Sequence, residues 1–127
     1  MNEQFCREVM LIGEDGLARL QNAHVAVFGV GGVGSFTAEA LARAGVGALT
    51  LVDNDTVALS NLNRQLLATQ STIGQPKVDV AAARIRDIHP DCRVTVRPVF
   101  YLPETAAEFD MTAYDYIVDA IDTVTAK

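Results

Sequence analysis

Cysteine is scarce in this chain of 127 residues: Cys6 and Cys92 are far apart and neither belongs to a C-x-x-C pair, which excludes a disulfide framework and a sequence-visible zinc site. Both read as reduced thiols that pack rather than react. Long apolar runs are also lacking. The longest, around His24–Phe28 and Tyr114–Ile121, carry a His or an Asp or stop well short of the roughly 20 residues that span a bilayer. The first residues place Glu3, Arg7 and Glu8 ahead of the short run Val9–Ile12. That is not the basic-then-apolar order of a secretory signal, so the cytoplasm is the expected compartment. Basic charge is in deficit, 10 Lys and Arg against 16 Asp and Glu, for a net charge of −6. This opposes broad adhesion to nucleic acid or an anionic membrane but leaves room for a local basic pocket. Aromatic residues make up only 6%, yet 50% of the chain is apolar and 20% charged, the balance of one soluble globular domain.

What the chain does have is apolar segments that alternate between two periods, with no internal repeat or low-complexity linker. His24–Phe28 predicts a short buried strand, and a glycine cluster from Gly29 to Gly34 leads into a helix over Val33–Ala44 that stops at Gly45. Ala48–Val52 predicts a second strand closing on the acidic turn Asp53-Asn54-Asp55. Pro76 opens a second long helix, whose Val78, Ala82, Ile85 and Ile88 share a face until His89-Pro90 ends it. Arg93–Val99 alternates as a strand, a short helix is expected near Pro103, Asp115–Ile121 predicts a fourth strand, and another helix should begin at Asp122-Thr123. Strands joined by helices imply right-handed crossovers and an α/β fold, a Rossmann-like, doubly wound, mostly parallel sheet. The chain stops within about a turn of that last helix, so it reads as the N-terminal part of a larger protein, truncated after the fourth strand. Residues 1–22, with Phe5, Val9, Leu11, Ile12, Leu17 and Leu20 apolar, are expected to form a helical arm able to pack on a partner subunit. Residues 23–127 would be the nucleotide-binding domain.

Gly29-Val30-Gly31-Gly32-Val33-Gly34 satisfies G-x-G-x-x-G between a predicted strand and a predicted helix. Glycines allow a sharp turn and a close approach to phosphate, and the helix behind them presents unpaired amides with about half a positive charge. Asp53, about 20 residues further on, is placed to accept hydrogen bonds from ribose hydroxyls. The plainer alternative is a tight turn with no ligand; the acidic residue favours a nucleotide without choosing among NAD, FAD and ATP. Asn61-Leu62-Asn63-Arg64-Gln65 follows the second strand, at the carboxyl edge where open α/β sheets bind ligands. A triphosphate needs fixed cations, and Arg64 and Lys77 suit that task; the alternative is two solvated surface charges. Asp122 is placed to hold Mg²⁺ against phosphate oxygens or, more simply, to cap a helix. Asp119, within an apolar strand, is costly to bury unless hydrogen-bonded. His24 and His89 have no nucleophile or ligand partner nearby in the sequence and read as structural, and no Ser/His/Asp or Cys/His arrangement is detectable.

Five motifs in order, Gly29 to Gly34, Leu51 to Asp55, Asn61 to Gln65, Gly74 to Val78 and Asp119 to Asp122, resemble the ThiF/MoeB/HesA superfamily, the adenylating domain shared with ubiquitin-activating enzymes. The resemblance runs from about Phe5 to the last residue. Within it, Gly34 to Arg43, Ile88 to Val96 and Asp119 to Lys127 are most similar to the tRNA threonylcarbamoyladenosine dehydratase subfamily. The resemblance implies ATP as ligand and adenylation of a carboxylate as chemistry. By position, amides around Gly31, Gly32 and Gly34 would hold phosphates, Asp53 the ribose, Asn61, Arg64, Gln65 and Lys77 the triphosphate, and Asp122 the Mg²⁺. It further implies a homodimer in which Arg7 reaches the partner subunit's ATP. The substrate would be tRNA or, in the alternative branch, the C-terminal glycine of a ubiquitin-like sulfur carrier protein. The superfamily's second half, with its substrate-binding segments, has no counterpart in these residues. Rival readings are an NAD- or FAD-binding oxidoreductase domain, which leaves Arg64, Lys77 and Asp122 without a task, and a non-catalytic dimerisation module.

Overall fold

Apolar runs of four to six residues become central strands when helices and loops cover both of their faces. In the computed structural model, which describes residues 3–99 and 111–121, β1 (His24–Phe28) and β2 (Ala48–Val52) are buried almost throughout. They pair in parallel, His24 opposite Ala48 through Phe28 opposite Val52. β3 (Arg93–Arg97) adds in parallel outside β2, and β4 (Tyr116–Asp119) adds in parallel on the other side of β1, giving the order β3-β2-β1-β4. All four strands are thus parallel. β3 and β4 are shorter than the alternation suggested, because Val99, Ala120 and Ile121 leave the ladder to line the site described below. The helices expected near Pro103 and from Asp122 lie outside the described residues.

Two helices cross between the first three strands. α2 (Gly32–Ala44) ends on Gly45 in the left-handed conformation, φ 100°, as its glycine signal required. α3 (Lys77–Ile88) begins directly after Pro76. The two-residue period of the strands divides the core. Val25, Val27, Leu49 and Leu51 face Ala38 and Ala42 of α2 and Val78, Ala81 and Ile85 of α3. Ala26, Phe28 and Val52 point the other way, against Val99, Met111, Tyr114 and Ile121. Each fully buried Val, Leu or Phe contributes about 1.5–3 kcal/mol. Cys92 belongs to the first cluster; burial pushes its thiol up, which keeps it a packing residue, and Cys6 is also free.

The expected arm is α1 (Cys6–Gln21), outside the sheet and broken at Gly13, whose φ of 76° is strained for any residue with a side chain. It is anchored to its own chain. Phe5 and Leu17 are buried and converge on Gly45, and the Phe5 ring meets His89 edge-on with centroids 5.2 Å apart. Gln4 Nε2 donates to Ile88 O at 2.8 Å, and Gly47 N donates to Leu20 O at 3.0 Å. These contacts lie at the amino edge of the sheet. His24 is there too, with Nε2 2.7 Å from Thr50 Oγ1 and its ring edge-on to Tyr114, so both histidines serve packing. Met10 and Leu11 remain 83% and 88% exposed.

Glu39 ties α2 to α3 by accepting from Arg43 on its own helix and from Arg84 on α3. Burial pushes its carboxyl up, but the two guanidinium groups outweigh this and hold it below its ordinary value. The folded state therefore favours the ionised form: the stabilisation is complete above the ordinary glutamate range near pH 4.3 and is lost as pH falls through the lower folded value. Both arginine side chains are well exposed, 58% and 43%, so screening limits the gain to about 1 kcal/mol. Urea unfolding of Glu39→Gln should show a loss of about 1 kcal/mol at pH 7 that shrinks towards zero below about pH 3; a pH-independent loss would mean the charge is not what matters.

Candidate nucleotide-binding site

The chain leaves β1 towards β2 in one direction and later returns to the far side of β1 as β4, so the strand order reverses between these two strands. Open parallel sheets form a crevice beyond the carboxyl ends of the strands at such a point. A cavity of about 280 Å³ opens there. Gly29 and Gly31 line it after β1, Val52 to Asp55 after β2, and Ala120 and Ile121 after β4; the connection into α3 adds Asn61, Arg64, Gln65 and Lys77.

The glycines of the turn divide into two kinds. Gly29 has φ 94°, and a Cβ there would sit 2.6 Å from Ala120 O, so this residue lets the ends of β1 and β4 close together. Gly34 is buried, and a Cβ on it would overlap the carbonyl oxygen of Gly29. Around Gly32 there is open space, and the nearest atom to a Cβ on Gly31 would be Gln65 Nε2 at 3.7 Å. Gly32 and Gly34 are not among the residues lining the cavity; the missing side chain of Gly34 sets the spacing of helix and strand.

Asp53 is a junction. Its Oδ2 accepts from Val30 N at 2.7 Å and its Oδ1 from Asp55 N at 2.8 Å. Each carboxylate oxygen has a second lone pair, so ribose hydroxyls can still be accepted. Asn61 is buried; its Oδ1 accepts from Ala58 N at 2.8 Å and its carbonyl from Arg64 N and Gln65 N, which shapes the turn that presents those two side chains. Arg64 is exposed, with Nη1 donating to Ser60 O at 2.9 Å and Asn63 Oδ1 at 3.1 Å. Lys77 is only 6% exposed and opens α3, with Nζ 3.9 Å from Asp55 Oδ2. A cation at a helix N-terminus works against the dipole, and a buried ammonium is costly without an anion, so this position suits an anionic ligand.

Arg7 does not line the cavity; it is exposed on the first turn of α1, which Phe5 anchors at the opposite edge of the sheet. Asp122 lies outside the described residues, among which no three His, Cys, Asp or Glu side chains are grouped to hold a metal. Asp119 escapes the cost of burial by being exposed, and its Oδ1 accepts from Ile121 N at 3.2 Å. Asp55 was missed as a site residue, although its place in the same acidic turn as Asp53 was the available signal.

Residues 5–127 match the ThiF family along almost the whole chain. The chain belongs to the ThiF family. This ThiF-family chain is 54% identical over 127 residues to tRNA threonylcarbamoyladenosine dehydratase of Bacillus subtilis, covering 100% of the chain and 50% of that protein. It is similar to the crystal structure of Escherichia coli tRNA N6-threonylcarbamoyladenosine dehydratase in complex with ATP, with a TM-score of 0.94 at 46% identity, over 98% of this chain and 51% of that one. The molybdopterin-synthase adenylyltransferase of E. coli is 39% identical over 127 residues, 98% of this chain and 50% of that protein. The chain therefore spans about half the length of these relatives.

The division among the glycines is testable by thermal and urea unfolding. Gly34→Ala should cost about 3 kcal/mol, as an overpacked contact does, while Gly32→Ala should stay within about 1 kcal/mol of the parent. Equal losses at the two positions would refute the assignment of separate roles.

Proposed function

We propose that the protein is an ATP-dependent adenylating enzyme whose substrate is the carboxylate of threonylcarbamoyladenosine in tRNA. The observation that carries this reading is that Arg64 and Lys77 line the same cavity as the Gly29–Gly31 turn and Asp53. A dinucleotide cofactor would not ask for both cations. The named relatives support the choice of ATP and of tRNA.

In this reading the substrate carboxylate attacks the α-phosphorus of ATP, the bond to the β-phosphate oxygen breaks, and pyrophosphate leaves. Cyclisation of the activated threonyl group then releases AMP, for a net dehydration. The chain's part is positional and electrostatic. Asp53 accepts the ribose hydroxyls, the open backbone at Gly31 and Gly32 admits the phosphates, and Asn61 holds the turn that aims Arg64 and Gln65. Arg64 and Lys77 stabilise the charge that grows on the leaving pyrophosphate. A magnesium ion needs only one or two carboxylates beside phosphate oxygens, and Asp122, next in sequence after the cavity residue Ile121, is the residue we assign to it; bound there it would neutralise phosphate charge. Arg7 is assigned to the ATP of a second subunit in a homodimer, supported by its distance from its own cavity and by the exposed Met10 and Leu11 beside it. A tRNA substrate agrees with a cytoplasmic location. With a net charge of −6 on these residues, most tRNA phosphate contacts are assigned to surfaces outside them.

A second reading, adenylation of the C-terminal glycine of a sulfur carrier protein, is favoured by the 39% identity to the molybdopterin-synthase adenylyltransferase. The two are separated by exchange of labelled pyrophosphate into ATP, measured with tRNA bearing threonylcarbamoyladenosine and, in parallel, with a small carrier protein. Exchange should depend on the tRNA, and Arg64→Ala should lower it by about 10²-fold. Dependence on the carrier would select the second reading; tighter binding of NAD than of Mg·ATP, or exchange untouched by Arg64→Ala, would overturn the site itself.

A further inference from the structure

We infer that Asp55 is a positioning residue that acts through Lys77, holding the buried ammonium aimed at the phosphate end of the cavity. The inference rests on the adenylating function proposed above. Lys77 is 6% exposed and lies at the positive end of α3, so neither water nor the helix stabilises its charge. Its anionic neighbour is the Asp55 carboxylate, with Oδ2 3.9 Å from Nζ. Charge-assisted hydrogen bonds close to about 2.7–2.9 Å, so at this distance Asp55 steers the ammonium without binding it in a hydrogen bond. A phosphate oxygen at ordinary hydrogen-bond distance would displace it.

The backbone of Asp55 makes the steering accurate. Its N–H donates to Asp53 Oδ1 at 2.8 Å and its carbonyl accepts from Lys77 N at 3.0 Å. Asp55 is therefore tied on one side to the residue assigned to ribose and on the other to the residue assigned to phosphate. Its carboxylate is 64% exposed on the cavity wall, where it can turn away when an anion arrives.

Asp55→Asn keeps both backbone bonds and removes only the charge. Removing a negative group from a phosphate site offsets the loss of orientation in the ground state, so KM for ATP should change less than about threefold. The tRNA-dependent exchange rate should fall about tenfold, because the lost orientation is felt where charge develops. Asp55→Glu should recover part of the rate, and thermal unfolding of both variants should match the parent. In a Lys77→Met background, Asp55→Asn should have no further effect. A tenfold loss that persists in that background, or a parental rate in Asp55→Asn, would overturn the inference while leaving the adenylating function standing. Failure of the parent protein to bind ATP would remove both.

Discussion

Two backbone amides, Val30 N and Asp55 N, share the carboxylate of Asp53 as acceptor, and through it the turn after β1 and the turn after β2 keep a fixed spacing. An ionised carboxylate makes stronger hydrogen bonds to backbone amides than a neutral acceptor would, and breaking one would leave a donor unsatisfied beside the core. The carbonyl of Asp55 then takes the amide of Lys77, so the geometry of the glycine turn is transmitted to the first residue of α3 through hydrogen bonds alone. Asp53, Asp55 and Lys77 of the cavity wall are referred to this chain of bonds, while Arg64 and Gln65 are set by the turn at Asn61. Gly29 and Gly34 complete the constraint, since a side chain at either would force β1, β4 and α2 apart.

The parallel sheet separates stability from chemistry by edge. At the amino edge lie Phe5, Leu17, His24 and His89, engaged with one another's surroundings through ring contacts and buried surface. At the carboxyl edge lie Asp53, Asp55, Arg64, Gln65 and Lys77. Loops carry function when a rigid scaffold sets their positions, and here the alternating core of β1 and β2 is that scaffold. The exposed surface of α1 belongs to the amino edge, which explains why Arg7 has no access to the cavity of its own chain.

Relatives named for different acyl substrates, a tRNA in one case and molybdopterin synthase in the other, share 54% and 39% of these residues with the chain. The two alignments cover 100% and 98% of the chain, the part that builds the cavity. In the adenylating function proposed above, these residues would read a nucleotide by its phosphates and ribose, groups that are the same whichever carboxylate is to be activated.

How much was legible beforehand follows from the range of each interaction. β1, β2, α2 and α3 lie within a residue or so of their expected bounds because their signals are local: a two-residue alternation, Gly45 as a stop, Pro76 as a start. Asp53, Arg64 and Lys77 stood out by residue type and by order along the chain. The spacing role of Gly34 was not legible because the oxygen it makes room for belongs to Gly29, and only a folded turn brings the two into contact. Asp55 escaped notice because its partner Lys77 is remote in sequence and meets it only when α3 docks. The anchoring of α1 by Phe5 was hidden for the same reason, since His89 is at the other end of the fold's helical layer in chain order. By itself the order of residues determined β1, β2, α2 and α3, the glycine turn and the supply of cations, because propensity, periodicity and charge act between near neighbours. Which glycines space the elements and which face open space, which aspartate ties the turns and which one faces Lys77, were decided only by tertiary structure, because each depends on distances between segments that the chain alone does not hold together.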